Sequence, residues 1–133
     1  ITCRDWSSDV CSSDLRVAVA RALVARPDLL LMDEPFSSLD SLTREAAQDF
    51  LLAVRSRRPM TILLVTHSVE EAVYLADTGL VMRGKNPGSI VARLDIPENS
   101  PDTRFRAEPD FRSQPAFHTY CATLRAMLHG SNP

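Results

Sequence analysis

One stretch in the first third of the chain decides the fold: Leu29-Leu-Leu-Met-Asp-Glu-Pro35. Its four apolar residues run without alternation, which is typical of a strand buried on both faces of a parallel sheet. The strand delivers two adjacent carboxylates, Asp33 and Glu34, to its carboxyl end, where open α/β sheets bind ligands. Since successive strand side chains point to opposite sides, one carboxylate can face a magnesium shell while the other addresses a water molecule. An acidic strand end that merely leads into a loop is the plain alternative.

The segments around this strand alternate between helical and strand patterns. Apolar residues recur at helical spacing over residues 16–26 and again over 41–57, where Asp40 or Ser41 can cap the helix start. A second buried strand is expected over residues 61–66. Strands that alternate with helices predict an α/β fold with a largely parallel sheet.

The rest of the chain continues this alternation before it becomes irregular. Ser68 and Glu71 form a capping box, which predicts a helix that ends near Asp77. The elements expected after it are, in order, a strand near 80–82, a turn over 84–88, a strand near 90–94, a linker over 95–112 and a helix over 115–129.

A histidine follows the second predicted strand. His67 comes just before the capped helix, so it lies on the same rim as Asp33 and Glu34 if the two strands are neighbours. A neutral imidazole at that place can donate a hydrogen bond to a phosphate oxygen and accept one from water. A histidine that is simply hydrogen-bonded at a strand end is the alternative.

Composition excludes several classes of protein. The chain has 133 residues, of which 4 are glycines, and all of these come after residue 78. A glycine-rich phosphate loop is therefore excluded from the first 78 residues. The net charge of -2 argues against a basic nucleic-acid surface. The three cysteines are scattered, which suggests neither a disulfide framework nor a zinc site.

One later stretch imitates a phosphate loop. Gly79, Gly84 and Lys85 have the spacing of such a loop, but the residues between the glycines are strand-like and Asn86 stands where a hydroxyl is required. We therefore expect a strand and a tight turn at this position.

The first 15 residues differ from everything that follows. A Ser-Ser-Asp-apolar unit occurs at Ser7 and again at Ser12, a period of five that fits neither helix nor strand. Our hypothesis is that residues 1–15 are a non-native leader, similar to translated adapter sequence. A flexible polar leader is the alternative.

Three blocks carry a family resemblance when they are taken in order. They are Arg16-Val-Ala-Val-Ala-Arg-Ala-Leu23, Leu30-Leu-Met-Asp-Glu-Pro-Phe-Ser-Ser-Leu-Asp40 and Leu64-Val-Thr-His-Ser-Val-Glu-Glu-Ala-Val-Tyr-Leu-Ala-Asp77. Together they resemble the second half of an ABC transporter ATP-binding subunit. The resemblance implies the C-terminal part of a P-loop NTPase core (ABC ATPase, RecA-like), with parallel strands flanked by helices. It implies a partial ATPase domain over residues 16–94, followed by a linker and helix over 95–133.

The resemblance also assigns roles to single residues. Asp33 becomes the Walker B aspartate that holds Mg²⁺ through water, and Glu34 becomes the residue that polarises the attacking water. Ser38 and Asp40 lie in the D-loop, where they serve the nucleotide site and its coupling to a second subunit. His67 becomes the switch histidine that contacts the γ-phosphate of ATP.

The implied function is transport coupled to the hydrolysis of ATP to ADP and phosphate. In that family two subunits, as a homodimer or an unlike pair, enclose two ATP molecules and drive permease subunits of the membrane. A periplasmic solute-binding protein is an indirect partner, nucleic acid is not a partner, and the subunit is peripheral on the cytoplasmic side of the inner membrane. Residues 35–44 and 86–90 are most similar to importers of nitrate, sulfonates or taurine.

The chain also departs from the family pattern. A Walker A loop, a glutamine loop and a signature motif should precede Arg16, and none of them occurs in this sequence. The chain by itself is therefore expected to be inactive.

Two other readings stay open. One is another P-loop ATPase of the DNA-repair or helicase type, because a buried strand that ends in Asp-Glu recurs there. The other is a non-enzymatic interaction fragment, in which the helix from Pro115 presents Phe117, Tyr120, Leu124 and Leu128 to a partner.

Overall fold

The computed structural model describes residues 17–58, 60–84, 88–96 and 111–130. These residues fall into two compact units, one within residues 1–67 and the other within 68–133. The expectations for residues 1–15, for the turn residues 85–87 and for most of the linker 95–112 lie outside the described residues. Among the helices in the described ranges, none is long and apolar enough to cross a membrane.

Within its described residues, the first unit contains two helices and a parallel pair of strands. In chain order they are α1 (residues 17–24), β1 (Leu29–Asp33), α2 (Ser41–Arg57) and β2 (Thr61–Val65). The two strands pair in parallel with Leu29 opposite Thr61 and Asp33 opposite Val65. The buried apolar side chains of this unit are Val19, Leu30, Phe36, Leu39, Ala47 and Leu51.

Helix α2 has the predicted bounds, and its start has a clear cause. The Asp40 side chain accepts a hydrogen bond from the Thr43 backbone N–H at 3.1 Å, which satisfies one of the free amides of the first turn. At the other end of the helix, Arg58 Nη1 donates to the Leu23 carbonyl at 3.1 Å and ties this end to α1.

The prediction that β1 and β2 are buried on both faces is wrong. Leu30 is 9% exposed, whereas Leu31 and Leu63 are 66% and 51% exposed and face each other across the register. A continuous apolar run gives no sign of which face is covered, because covering a face requires a further layer of structure. The described part of this unit covers one face only.

In the part of the second unit that the structure describes, there are two helices and an antiparallel pair of strands. Its elements are α3 (Val69–Leu75), β3 (Thr78–Arg83), β4 (Ser89–Asp95), a 3₁₀ turn (Phe111–Ser113) and α4 (Pro115–His129). Helix α3 ends two residues before the predicted Asp77. Strands β3 and β4 pair antiparallel, so the expectation of a largely parallel sheet is wrong for this half of the described strands. The connection between them is too short for the crossover that a parallel pair requires.

The hairpin also shows that the stretch beginning at Gly79, which has the spacing of a phosphate loop, is a strand. Gly79 and the four residues after it lie in β3 and pair with β4 from Leu94 to Ser89. A strand in an antiparallel ladder cannot wrap around a phosphate, so the expectation of a strand at this position is confirmed.

Helix α4 packs within its own unit. Phe117, Cys121 and Leu124 are buried, and the helix contacts α3, β3 and the 3₁₀ turn. Phe111 and Phe117 meet edge to face with ring centroids 5.5 Å apart. Phe117 and Leu124, two of the four residues proposed for a docking partner, are thus used for internal packing, whereas Leu128 is 42% exposed.

The C-terminal end of α4 depends on a glycine. Gly130 has φ 79, in the left-handed region, and Arg83 Nη2 donates to the carbonyl of Met127 in the last turn. A Cβ at position 130 would lie 2.9 Å from Arg83 Nη1. Gly130→Ala is therefore expected to lower the free energy of unfolding by about 1–2 kcal/mol, because an L residue is strained in the left-handed region.

Gly88→Ala is the matched control for this prediction. A Cβ at position 88 would meet only ordinary contacts at 3.6 Å and beyond, and Gly88 lacks a positive φ. Urea unfolding of both variants, followed by circular dichroism at 222 nm, makes the comparison. Equal free energies of unfolding for the two variants would contradict the role given to Gly130.

Candidate functional site

The candidate site lies where β1 and β2 end. The two strands run in parallel and in register, so their carboxyl ends share one edge. The Glu34 backbone N–H donates to the Val65 carbonyl at 2.9 Å and continues the ladder one step beyond Asp33. This step fixes the start of the loop that carries Glu34 beside the segment that leads to His67.

Glu34 and His67 contact each other directly at this edge. His67 Nδ1 lies 2.8 Å from Glu34 Oε2. The Glu34 side chain is 33% exposed and the His67 side chain is 78% exposed, so a ligand from solvent can reach the imidazole. From the sequence, Glu34 and His67 were expected at the same sheet edge only if β1 and β2 are neighbours. The structure pairs these two strands.

The contact determines how the imidazole can be used. A carboxylate only accepts hydrogen bonds, so a hydrogen bond at this contact requires the proton on Nδ1 of His67. The Nε2 atom then accepts a hydrogen bond when the ring is neutral and donates one when the ring is an imidazolium. A phosphate oxygen therefore pairs with Nε2 of the imidazolium, whereas a water molecule can donate to Nε2 of the neutral ring.

The backbone of Glu34 has an uncommon conformation. Its φ of 47 lies in the left-handed region, which non-glycine residues adopt rarely and mainly where neighbouring structure enforces it. The Glu34 carbonyl accepts hydrogen bonds from the Ser37 hydroxyl at 2.9 Å and from the Ser37 N–H at 3.3 Å. These bonds close the turn that directs the Glu34 side chain toward His67.

Asp33 is the residue with the right chemistry for Mg²⁺. It is exposed at the last position of β1, one residue before Glu34. Within the residues that the structure describes, no three side chains of His, Cys, Asp or Glu cluster as a metal site. Mg²⁺ commonly takes one or two carboxylates and completes its shell with water and substrate phosphates, so a single carboxylate at this place fits that ion.

Asp40 and Ser38 have different surroundings from the Glu34–His67 pair. The Asp40 carboxylate caps α2, and hydrogen bonds from the Thr43 side chain and then from its amide hold the pKa of Asp40 below its usual value. Ser38 is exposed in the loop between Phe36 and Asp40. The structure thus brings Glu34 and His67 together and uses Asp40 as a helix cap.

Arg44 is part of this loop structure, and no role of its own was predicted for it from the sequence, although it is the last residue of the importer-like stretch 35–44. Its side chain donates to two carbonyls of the loop, those of Phe36 and Leu39. The sequence did contain one signal for Arg44. A cation in the first turn of a helix opposes the helix dipole, so an arginine at this position indicates a contact outside the helix.

Known proteins similar to this chain are ATP-binding subunits of importers. The taurine import ATP-binding protein TauB of Rhizobium johnstonii is 43% identical over 119 residues, which is 87% of this chain and 44% of the relative. The aliphatic sulfonates import ATP-binding protein SsuB 1 of Pseudomonas savastanoi is 49% identical over 89 residues, 67% of this chain and 37% of the relative. TauB of Pseudomonas fluorescens is 53% identical over 81 residues, 61% of this chain and 30% of the relative.

These matches confirm the resemblance that the three sequence blocks indicated. The chain spans less than half the length of the curated relatives that it matches. No protein-family model matches it. The relatives named above are importer subunits, so a DNA-repair or helicase type of ATPase is not favoured.

Proposed function

Because this chain is homologous to part of the ATP-binding subunits of ABC importers for taurine and aliphatic sulfonates, we propose that it forms the carboxylate and switch portion of such an ATPase subunit. The observation that carries this proposal is the 2.8 Å contact between Glu34 and His67 at the strand edge that also holds Asp33. The residues around this edge supply a metal-binding carboxylate, a base and an imidazole, which are groups that ATP hydrolysis can use.

Each of the three residues has a task in the proposed reaction, in which ATP and water give ADP and phosphate. We assign the attacking water to Glu34 Oε1, the oxygen other than the one that lies 2.8 Å from His67 Nδ1. The carboxylate orients that water and takes its proton as the new oxygen–phosphorus bond forms, while the bond from the γ-phosphorus to the bridging oxygen breaks and ADP leaves with the electron pair. His67 in its imidazolium form donates from Nε2 to a phosphate oxygen, and its ring is held in place through Nδ1. Bound Mg²⁺, held by Asp33 through water, would neutralise the phosphate charge.

The part of the site that binds the ATP phosphates must come from outside these 133 residues. No glycine precedes Gly79, so the chain has no glycine-rich loop ahead of Asp33 that could cradle phosphates. The relatives are more than twice as long as the stretch that this chain matches. We therefore assign the activity to the parent protein, by which we mean a polypeptide of the relatives' full length that contains residues 16–133 of this sequence.

The proposed solute is a small organic sulfonate such as taurine. The names of the relatives support this class, as does the similarity of residues 35–44 to importers of nitrate, sulfonates or taurine. The proposed partners are a second ATPase subunit, the permease subunits and, indirectly, a periplasmic solute-binding protein. The proposed location is the cytoplasmic face of the inner membrane.

Phosphate release measured on two proteins tests this proposal. The parent protein is expected to hydrolyse ATP in the presence of Mg²⁺, and the 133-residue chain is expected to release no phosphate above background. Turnover by the 133-residue chain that Glu34→Gln abolishes would contradict the assignment of the phosphate-binding part to the rest of the parent. Turnover by the parent that rises on addition of DNA would favour a nucleic-acid ATPase instead.

A further inference from the structure

The loop between β1 and α2 requires something to hold its shape. It begins at Glu34 with a positive φ, and such conformations persist only where the surrounding structure enforces them. The loop has two buried side chains, Phe36 at 0% exposure and Leu39 at 4% exposure. Buried backbone carbonyls require hydrogen-bond donors, and the Phe36 carbonyl accepts one bond from the Leu39 amide at 3.1 Å.

One side chain contacts the backbone carbonyls of both Phe36 and Leu39. Arg44 Nη2 donates to the Leu39 carbonyl at 2.7 Å, and Arg44 Nε donates to the Phe36 carbonyl at 3.3 Å. The guanidinium presents several N–H donors in a rigid planar fork, so it can satisfy two separate acceptors at once. The Arg44 amide is bound as well, since it donates to the Asp40 carbonyl at 2.9 Å within α2. Arg44 therefore connects the loop to the helix through both its backbone and its side chain.

The position of Arg44 gives a second reason to assign it a task outside the helix. The first turn of α2 contains no acidic residue and does contain this cation, which is the reverse of what the helix dipole favours. The helix dipole therefore gives no reason for an arginine at this position, whereas the two loop carbonyls do.

We infer that Arg44 is a positioning residue for the Glu34 carboxylate: by holding the carbonyls of Phe36 and Leu39, it keeps the loop closed and Glu34 within reach of His67. This inference rests on the proposed function, since Glu34 acts on water only in that reaction. Arg44 acts through the loop backbone, by way of its hydrogen bonds to the carbonyls of Phe36 and Leu39.

Steady-state kinetics of Arg44→Ala, Arg44→Lys and Arg57→Ala in the parent protein test the inference. Arg44→Ala is expected to lower kcat about a hundredfold, because displacement of a catalytic group by about 1 Å has an effect of that size. KM for ATP is expected to stay within about twofold, since the part of the site that binds the ATP phosphates is not altered. The kcat of Arg44→Lys should lie between that of Arg44→Ala and that of the unsubstituted parent, because an ammonium is a point charge without the planar fork of a guanidinium. Arg57→Ala removes an exposed arginine from the last turn of the same helix and should leave kcat unchanged.

Hydrogen exchange of the unsubstituted 133-residue chain and its Arg44→Ala variant gives a readout that does not depend on activity. The Ser37 and Leu39 amides donate within the loop, to the Glu34 and Phe36 carbonyls. Both amides are expected to exchange about tenfold faster in the variant, while the amides in the middle of α2 keep their protection. If α2 loses its protection as well, Arg44→Lys replaces Arg44→Ala in both experiments.

The outcomes separate the inference from the proposed function. If Glu34→Gln abolishes turnover while Arg44→Ala leaves kcat unchanged, the inference is wrong and the proposed function stands. If the unsubstituted parent shows no turnover, the proposed function is wrong, and unchanged exchange of Ser37 and Leu39 would then also overturn the loop-holding role of Arg44. A selective loss of kcat together with faster exchange of these two amides supports the inference.

Discussion

Glu34→Gln in the parent protein is expected to lower the rate of ATP hydrolysis by about 10²- to 10⁴-fold, the range that a positioned general base contributes. The glutamine amide keeps the shape of the side chain and can still accept the hydrogen bond from His67 Nδ1, which measures 2.8 Å to Glu34 Oε2. It cannot take a proton from water. The loss should therefore appear in kcat, and ATP should remain bound between paired subunits.

Phosphate release and retention of labelled ATP, measured on the same preparation, check this expectation. Glu45→Gln is the matched control, because it removes the charge of an exposed carboxylate from α2 by the same chemical change. It should leave kcat unchanged. If Glu34→Gln kept a kcat within a few-fold of the unsubstituted protein, Glu34 could not be the base, and water activation would have to be assigned to another group.

Combining a substitution at His67 with Glu34→Gln tests whether the two residues act together. The His67 side chain is 78% exposed, so a ligand can reach the ring. Its contact with Glu34 through Nδ1 orients the ring. In the proposed reaction, the effects of substituting Glu34 and His67 on kcat should not add, because each residue depends on the other for its geometry. A substitution at His67 combined with Glu34→Gln should therefore cost little more than Glu34→Gln alone.

Local sequence signals predicted the helices well. Asp40 marks the start of α2, and the structure shows its side chain on the Thr43 amide, as the capping pattern indicated. Pro115 marks the start of α4 at the first helical position. Ser68 accepts from the Glu71 amide at 3.2 Å, so the start of α3 also follows its capping box. These signals work because they depend on residues three or four positions apart.

The sequence predicted less where contacts are distant along the chain. The exposure of Leu31 and Leu63 depends on which layers of structure cover the sheet, and an apolar run does not contain that information. The two hydrogen bonds from Arg44 depend on the path of the loop between Glu34 and Asp40. The contact of Glu34 with His67 could be expected only as a consequence of neighbouring strands. Motif spacing thus identified the residues of the edge, and the structure supplied the loop that holds them.

The second large effect is expected for Phe36, which anchors that loop. Phe36 is 0% exposed and is among the largest fully buried side chains of the chain. Phe36→Ala is expected to lower the free energy of unfolding by about 3–5 kcal/mol, because truncation removes buried apolar surface and leaves a cavity. Such a loss is a large part of the total stability of an ordinary domain, which is about 5–15 kcal/mol.

Urea unfolding of this chain, followed by circular dichroism, measures the effect against Leu42→Ala. Leu42 is 78% exposed on α2, so its truncation is expected to change the free energy of unfolding by no more than about 0.5 kcal/mol. A loss of less than about 1 kcal/mol for Phe36→Ala would mean that the cavity collapses without cost. The closed loop would then depend on Arg44 and the Ser37 hydrogen bonds rather than on the buried ring, because those polar contacts also hold the turn that begins at Glu34.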